Sequence, residues 1–492
     1  MNGGAMASWK IMASPSVAPL SPSPTPQRMS IPGSYGFPVI GPLVDRLNYF
    51  WFQGPSDFFK NRIDKYKSTV FRTNVPPAFP FFLGVNPNVV AVLDVKSFAH
   101  LFDLDLVEKN VLVGDFKPSL SFTGGMEVCA YLDTADPKHS QLKEFAIDTL
   151  RRSAATWTPE ILSSLTTLFD EVDAQLSGGG GSVITLLLLV QQFLFTYLSR
   201  VLLGADPAAV PEMKKSGHIM VDRWLALQLA PTIPILALQP LVEIFLHSFP
   251  YPFFLVQSDY NKLASFIKSQ AKEALHHAQT SYNLTESEAI NNLLFMFGFN
   301  AFGGFTLFLP TLLTFLESQK DVHPQLRNEV RSTLKSSGSE TLSYEIVREM
   351  DLINSFVYEA LRLSPPVPSQ FGRARKDFDL TSHDAIYAIK KGEMLCGYQP
   401  LVMQDPKIFQ SPADFVYDRF SDKKGGRELL KYLYWSNGPQ QAGETCPAAS
   451  NKQCPGRDFV PATVAFFLAF MFQRYDDIQI SSGNITALRK AK

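Results

Sequence analysis

The chain has 492 residues, 46% of them hydrophobic, and a net charge of −1 at pH 7. So balanced a charge argues against nucleic acid as a partner, since nucleic-acid-binding proteins usually carry a basic surface. The four cysteines include no Cys-x-x-Cys pair, which gives neither a disulfide framework nor a zinc site. Charged residues make up only 18%, whereas there are 40 Phe and 35 Pro, a mixture typical of an enzyme for apolar ligands.

Residues 1–30 precede the predicted folded part. Met1 to Gln27 is rich in Ser, Pro and Ala and contains no acidic residue, the first of which is Asp45. This composition predicts a plastid transit peptide, and an untargeted disordered tail is the alternative. The segment has no run of about 20 apolar residues, which a membrane-spanning helix requires. Anchoring in the endoplasmic reticulum is therefore not expected, and residues 31–492 are predicted to form one folded unit.

The next segments are first irregular and then extended. Pro and Gly punctuate Ile31–Pro42, which no helix is expected to tolerate. Thr69–Val75 and Asn88–Asp94 predict strands of a small sheet, and Lys96–Phe102 predicts a helix.

A loop and a helix then carry three candidate site residues. Phe122 stands before a glycine pair in the loop Pro118–Gly125, where a plain core aromatic is the alternative interpretation. His139 and Lys143 are four residues apart on a predicted helix and therefore share one face. For Lys143, a solvated basic face is the alternative interpretation.

The middle of the chain contains a glycine run and two long apolar stretches. Gly178–Gly181 predicts a surface loop, because a helical pattern resumes at Thr185–Leu203. Polar residues interrupt that pattern soon after Val190, so a buried helix is expected there. Ile233–Val256 is aromatic, broken by proline and nearly uncharged. It could line a substrate entrance, touch a membrane surface or belong to the core.

A long helix without charged residues is predicted over Asn291–Pro310. Gly303 and Gly304 lie inside it, and because glycine destabilises a helix interior, something is expected to approach the backbone there. Asn300 is a polar side chain in an apolar wall and needs a partner. That partner is either a group within the helix or a bound ligand.

Three charged residues predict a buried ion cluster. Glu359 and Arg362 are three residues apart in the predicted helix Tyr344–Leu363 and share one of its faces, in an apolar setting. A buried ion pair needs further partners to be tolerated. Arg419 could supply one.

The most informative stretch is the loop Trp435–Gly456. Lys452 stands two residues before Cys454, Gly456 stands two after it, and an apolar helical pattern follows at once. Backbone N–H groups and the positive end of a helix dipole favour a thiolate at such a cysteine. A thiolate of this kind is a suitable axial ligand for haem iron. The alternatives are a buried structural cysteine and the rival thiol of Cys446, which no helix follows.

Together these motifs resemble the cytochrome P450 superfamily. Glu359-x-x-Arg362, then Arg419-Phe420, then the Cys454 loop occur in the order found in that superfamily. Trp435 precedes the cysteine by nineteen residues, an interval lengthened by an insertion over roughly 439–450. The insertion resembles a plant branch that acts on fatty-acid hydroperoxides and comprises allene oxide synthases, hydroperoxide lyases and divinyl ether synthases.

The resemblance implies a fold that is mostly α with a small β part, the cytochrome P450 fold, with haem b between the central helix and the cysteine loop. Four residues would hold the haem: Cys454 as the thiolate ligand of the iron, and Lys452, His139 and Lys143 at the propionates. Asn300 would contact the hydroperoxide of the substrate, and Phe122 would press on the substrate chain. Since the substrate already contains the O–O bond, neither dioxygen, NADPH nor a reductase is required. A chloroplast location is expected, and peripheral membrane association is a further possibility.

Within that branch the chain resembles the lyases. Asn300–Thr306, Ser355–Arg362 and Pro368–Arg375 look like lyase segments, and Phe305-Thr306 stands where synthases commonly carry Met-Lys. The implied reaction cleaves 13-hydroperoxides of linolenic and linoleic acid, through a hemiacetal, to a six-carbon aldehyde and a twelve-carbon oxo-acid. Allene oxide synthase or divinyl ether synthase is the alternative activity.

Two more distant functions are disfavoured. A reductase-dependent monooxygenase would carry an acid followed by Thr in the central helix, to deliver protons to dioxygen, and that helix has no acid. A non-enzymatic haem or lipid carrier is disfavoured by the complete set of Glu359, Arg362 and Cys454.

Overall fold

Helices account for most of the chain in the computed structural model, which describes residues 27–76, 84–177, 186–233, 240–441 and 446–491. The α-helices are α1 Ile40–Leu47, α2 Pro55–Tyr66, α3 Val95–Ala99, α4 Pro137–Ser177, α5 Leu186–Leu198, α6 Pro211–Leu229, α7 Pro240–Leu246, α8 Gln257–Gln270, α9 Lys272–Tyr282, α10 Glu286–Leu294, α11 Gly303–Ser318, α12 His323–Ser337, α13 Tyr344–Arg348, α14 Asp351–Leu363, α15 Gln399–Val402 and α16 Phe459–Arg474. The strands are β1 Gln27–Met29, β2 Val70–Asn74, β3 Asn88–Val92, β4 Val107–Glu108, β5 Ser369–Ala374, β6 Phe378–Thr381, β7 Ala385–Ile389, β8 Met394–Tyr398, β9 Tyr475–Ser481 and β10 Asn484–Lys490. The predicted class, mostly α with a small β part, is confirmed.

The strands form three small sheets. The largest has the order β2-β3-β8-β5-β4, in which β2 is antiparallel to β3, with Val70 opposite Val92, and β3 is parallel to β8. The other sheets are β1-β7-β6 and the antiparallel hairpin of β9 and β10. Valine-rich β3 is buried along nearly its whole length, as expected of β-branched residues in an inner strand. The strands predicted at Thr69–Val75 and Asn88–Asp94 are thereby confirmed.

The central helix is a continuous run made of α10, a π-helical segment Phe295–Phe302 and α11. A reciprocal capping box begins it: the Thr285 hydroxyl accepts from the Glu288 N–H, and the Glu288 carboxylate accepts from the Thr285 N–H. In the π-helical segment, the Gly303 N–H reaches back five residues to the Gly298 carbonyl. Such widened turns are frequent at functional sites, and this one contains Asn300.

The main core lies where the longest helices meet. One fully buried apolar side chain from each of α4, α5, α11, α14 and α16 illustrates it: Phe169, Leu194, Leu312, Phe356 and Phe466. Each such side chain contributes about 1.5–3 kcal/mol through burial. A second, smaller cluster joins the N-terminal helices to the five-stranded sheet through Tyr49, Phe50, Phe58, Phe59 and Phe71.

The predicted helix Tyr344–Leu363 is in fact two helices, α13 and α14, separated at Met350. The cause is a tertiary cap, because the Glu329 carboxylate of α12 accepts the N–H groups of Leu352 and Ile353, each at 2.9 Å. These are unpaired donors of the first turn of α14, so a distant acid starts that helix anew.

Two other boundaries also differ from prediction. Helix α1 begins at Ile40, inside the segment Ile31–Pro42, and places Pro42 in its first turn, where a missing N–H removes no helical bond. From Glu393 onward the sequence predicts a strand that runs into a loop, whereas the structure has β8 followed by the short helix α15.

The N-terminal predictions lie mostly outside the described residues. Residues 1–26 are not among the described residues, and neither is the predicted loop Gly178–Gly181. Strand β1 is described, and it pairs in parallel with β7, with Gln27 opposite Ala385. Strand β1 therefore lies ahead of the predicted boundary at Ile31.

Candidate active site

The predicted ion cluster of Glu359, Arg362 and Arg419 is present and completely buried. Arg362 donates to both carboxylate oxygens of Glu359 at 2.7 Å, and Arg419 Nε lies 2.9 and 3.0 Å from the same oxygens. The other guanidinium N–H groups donate to the carbonyls of Met403, Gln410, Ser411, Pro412 and Asp414. This network fixes the segment that leads towards the cysteine loop.

The insertion leaves the cysteine loop closed at its base. Three hydrogen bonds join its two arms: Cys454 N–H to the Ser436 carbonyl (2.8 Å), Asn437 Nδ2 to the Lys452 carbonyl (2.9 Å) and Gln453 Nε2 to the Pro439 carbonyl (2.6 Å). Residues 442–445 of the insertion lie outside the described residues. The two arms are therefore held together close to where the extra residues begin and end.

Cys454 lies among groups that favour a negative sulfur. A Cβ on Gly456 would lie 3.6 Å from Cys454 Sγ, and the Gly456 N–H donates to that sulfur. Burial raises the pKa of the Cys454 thiol, while the Lys143 ammonium and the Gly456 N–H lower it. The apolar helix predicted after the loop is α16, which begins at Phe459.

His139 and Lys143 lie on one face of α4, as predicted, and both are buried. The alternative of a solvated basic face is therefore wrong for Lys143, whose ammonium donates to the Gln453 carbonyl in the cysteine loop. Burial and the nearby lysines lower the pKa of His139 to about 4, so its ring is neutral at pH 7. In the described part of the chain, His139 Nδ1 has no hydrogen-bond partner.

The Lys452 ammonium is also enclosed by protein. It donates to the carbonyls of Cys129, Ala130 and Leu132 at 3.2, 3.1 and 2.8 Å. Burial lowers the pKa of Lys452 to about 8. Its side chain thus joins the cysteine loop to the turn that precedes α4.

Lys109 is a member of this basic group that sequence reasoning missed. Its side chain is buried, and its Nζ lies 3.5 Å from Gln370 Oε1. Burial, together with the charge of nearby Lys452, lowers the pKa of Lys109 to about 7. The only local signal is a lysine between two valine-bearing stretches, Val107-Glu108 and Val111–Val113.

Lys109, His139, Lys143 and Lys452 are hereafter the basic cluster. Among the described residues, no carboxylate is hydrogen-bonded to any of the four. Buried cations are costly without an anion beside them, so the cluster suits an anionic ligand. A haem fits this donor set, because its propionates supply negative charge to the cluster and its iron can accept the single thiolate of Cys454. No group of three or more His, Cys, Asp or Glu side chains suited to a metal occurs in the described chain.

Asn300 and Gly304 lie one turn apart on a face of the central helix that the protein leaves open. The Asn300 side chain is exposed although its segment runs through the core, and a Cβ on Gly304 would meet no atom within 4 Å. Gly303 is different, because a Cβ there would lie 2.6 Å from Leu225 of α6. Packing of helices therefore explains Gly303, and only Gly304 supports the prediction that a ligand approaches the backbone.

Phe122 is buried rather than exposed on the open face. Its ring meets Phe253 edge-on with centroids 5.3 Å apart, and its carbonyl accepts from Trp224 Nε1 at 3.0 Å. Four phenylalanines are close to Asn300 in the sequence, but most of their rings do not share its open face. Phe297, Phe302 and Phe305 are buried in the protein core, and only Phe299 is partly exposed.

The other three cysteines are less suited to ligand binding. Cys446 is exposed, and Cys396 is buried in β8, where burial raises the pKa of its thiol. Cys129 is half-buried beside Lys452, and burial raises its pKa too. Only Cys454 combines an N–H donor, a nearby ammonium and a following helix.

Two helical stretches, Leu186–Leu203 and Glu286–Ser318, are long and apolar enough to cross a membrane. The share of the apolar window buried inside the protein is 67% for the first and 56% for the second. Both therefore behave as core helices, in agreement with the buried helix predicted at Thr185–Leu203.

Comparison with known proteins places this architecture. The family model described as Cytochrome P450 matches residues 117–479. A tomato (Solanum lycopersicum) protein named fatty acid hydroperoxide lyase, chloroplastic, is 58% identical over 96% of this chain and 99% of its own length. Linolenate hydroperoxide lyase, chloroplastic, of Arabidopsis thaliana is 50% identical over 96% of this chain and 95% of its own. An allene oxide synthase of Linum usitatissimum is 41% identical over 92% of this chain and 83% of its own.

Proposed function

The chain belongs to the cytochrome P450 family, and on that premise we propose that it is a fatty acid hydroperoxide lyase. The observation that carries the proposal is 58% identity to a protein named as such, over nearly the whole of both chains. The proposed substrates are 13-hydroperoxides of linolenic and linoleic acid. The proposed products are a six-carbon aldehyde and a twelve-carbon oxo-acid, within the biosynthesis of oxylipins.

Haem b is the proposed cofactor, with Cys454 as its thiolate ligand. When bound, the haem iron supplies one-electron cleavage of the peroxide O–O bond. The Cys454 sulfur would donate electron density to the iron. Burial raises the pKa of the Cys454 thiol, whereas the Lys143 ammonium and the Gly456 N–H favour its anionic form. Lys109, His139, Lys143 and Lys452 are proposed to hold the propionates, since a bound anion would offset the cost of burying them.

Asn300 is proposed to orient the hydroperoxide from the open face of the central helix. Its amide can donate to a peroxide oxygen, while the backbone at Gly304 leaves room beside it. The helix offers no acid or base near Asn300, and Thr306 is buried. Allene oxide formation would require one-electron oxidation of the substrate radical followed by loss of a proton to a base. The central helix places no such base beside Asn300, which favours rearrangement of the carbon chain. Phe122 packs against Phe253, and it is proposed to act on the substrate chain indirectly, by fixing the position of the loop Pro118–Gly125.

The experiment incubates purified protein with the 13-hydroperoxide of linolenic acid, without NADPH, reductase or added dioxygen. We expect a six-carbon aldehyde and a twelve-carbon oxo-acid as main products. If α-ketols, which form by hydrolysis of an allene oxide, are the main products, the protein is a synthase, as its 41% identical relative is named. Strict dependence on an electron donor would instead identify a monooxygenase.

A plastid location and contact with a lipid surface complete the proposal. Both lyase relatives are named chloroplastic, and the composition of residues 1–27 fits a transit peptide. Exposed apolar side chains stand on two segments that the buried ion pair of Arg46 and Glu243 joins at 2.9 Å. They are Phe37, Ile40, Val44 and Phe52 on the first segment, and Leu241, Phe254 and Leu255 on the second.

Flotation with neutral phosphatidylcholine vesicles tests the lipid contact. Replacement of Phe37, Phe52 and Leu241 by Ser is expected to abolish flotation, because it removes the apolar area that would enter the lipid interface. Ile219→Ser, at an exposed apolar residue of α6, is the matched control and should leave flotation unchanged. Equal flotation of both variants would exclude this surface as the lipid contact.

A further inference from the structure

The turn Cys129–Leu132 is tied to the central helix by one side-chain amide. The Cys129 N–H donates to Asn292 Oδ1 at 3.0 Å. Asn292 Nδ2 donates in turn to the Glu288 carbonyl of the same helix at 2.9 Å, which fixes the orientation of the amide. Asn292 is 9% exposed, so water does not readily replace either bond.

The opposite side of the same turn is tied to the cysteine loop. Three of its carbonyls accept from the Lys452 ammonium, as described above. The Lys452 carbonyl accepts from Asn437 Nδ2, so the lysine is also fixed within the loop that bears Cys454. A hydrogen-bonded bridge therefore runs from Asn292 through the turn to Cys454.

Aromatic contacts connect the turn to the π-helical segment as well. The Tyr131 ring meets Phe295 edge-on with centroids 5.5 Å apart. Phe295 stacks on Phe299 at 4.4 Å and 11°, and Phe299 immediately precedes Asn300. A displacement of the turn would therefore be passed through two packed rings to the neighbourhood of Asn300.

We infer that Asn292 is a positioning residue for the reaction: through the turn, it sets the position of Asn300 relative to the Cys454 loop. Both ends of the Asn292 amide are bonded to protein backbone, so its inferred role is exerted through the turn. The inference rests on the proposed function and adds to it the reason why the reacting carbon keeps one position. Since displacements of about 1 Å change reaction rates by up to about a hundredfold, the choice between aldehyde and α-ketol should respond to this bridge.

The experiment compares three variants of the full-length haem protein on the 13-hydroperoxide of linolenic acid. Asn292→Leu removes the acceptor of the Cys129 N–H, and Asn292→Asp retains an oxygen acceptor. Asn354→Leu is the matched control, because Asn354 is a buried helical amide that donates only to Val347 and Met350 of the α13–α14 corner. Thermal unfolding, the Soret band, kcat, KM and the ratio of aldehyde to α-ketol are measured for each.

Asn292→Leu is expected to lower the aldehyde to α-ketol ratio about tenfold and to lower kcat more than KM rises. Asn292→Asp keeps the oxygen that accepts from Cys129 but loses the donor to the Glu288 carbonyl, so it should restore only part of the ratio. Asn354→Leu should lower the unfolding temperature without changing the ratio. An unchanged ratio in Asn292→Leu overturns the inference and leaves Asn292 a structural residue. If that variant does not retain haem, Tyr131→Leu decides, because it removes the contact with Phe295 and must shift the ratio in the same direction. Wild-type protein that forms mainly α-ketols would contradict the proposed function, whereas a change of product ratio would still test Asn292.

Discussion

Two buried clusters of charged side chains differ in how their charge is balanced. In the first, Glu359 lies between Arg362 and Arg419, and the remaining guanidinium donors reach backbone carbonyls. In the basic cluster, the lysine ammonium groups contact carbonyl and amide oxygens, and one imidazole nitrogen has no partner in the described chain. The first cluster has its counter-charge within the protein, whereas the second suits an anionic ligand.

This difference shows how to separate a structural ion cluster from a cofactor site. A structural cluster brings its counter-charge from the same chain, so its energy is part of folding. A cofactor site leaves charges of one sign together and is stabilised when the ligand binds. Burial is the main cause of the depressed pKa values of Lys109 and Lys452, and the charge of a neighbouring lysine lowers each of them further.

Cys454→Ala should abolish haem absorbance and aldehyde formation while the protein stays folded, because the Glu359 cluster does not depend on the cofactor. Absorption at the Soret band and far-ultraviolet circular dichroism measure the two properties. Cys446→Ala is the control, since Cys446 is exposed in the insertion, and it should leave both unchanged. Loss of haem in the Cys446 variant instead would contradict the ligand assignment.

Glu359→Gln should destabilise the whole protein by about 3–5 kcal/mol, because it leaves two guanidinium groups buried without a counter-charge. The free energy of unfolding is measured by urea denaturation. Glu428→Gln, at an exposed glutamate, should change it by less than about 0.5 kcal/mol. Equal stability of the two variants would show that carbonyl groups alone suffice for the arginines.

Lys109→Met should have the opposite effect to Glu359→Gln on stability. In the haem-free protein it should raise the free energy of unfolding by about 1–3 kcal/mol, because a buried cation is replaced by an apolar side chain of similar length. The same variant should bind haem more weakly. Urea denaturation of haem-free protein and haem transfer to apomyoglobin measure the two effects. Destabilisation of the haem-free protein would mean that Lys109 has a structural role like that of Arg362.

Haem affinity should fall as the pH rises above 7. The pKa values of Lys109 and Lys452 are about 7 and about 8, and a bound propionate would raise them, so haem binding takes up protons. The affinity then decreases by up to about tenfold per pH unit for each lysine. In the haem-free protein the pH dependence of stability has the opposite direction. Unfolded lysines keep their protons to about pH 10, so the free energy of unfolding rises between about pH 7 and 10. Haem transfer at pH 6 to 9 is the test, and an affinity that does not vary with pH would exclude these lysines from the propionates.

Features that depend on local spacing can be predicted from the amino-acid sequence. Glu359 and Arg362 share a face of α14 because they are three residues apart, and Cys454 is marked by the glycine and the apolar helix that follow it. The central helix was predictable from its apolar composition, and Asn300 from its polarity within it. His139 and Lys143 followed from helical periodicity. In each case, the residues that define the feature are close together in the chain.

Contacts between groups that are distant in the chain depend on the tertiary structure. Lys109 lies 261 residues from Gln370, and Lys452 lies 323 residues from Cys129, so no local pattern could indicate either contact. The break between α13 and α14 depends on Glu329 of another helix. A residue's spacing defines the face it occupies, but its burial, its partners and therefore its pKa depend on the elements packed against that face.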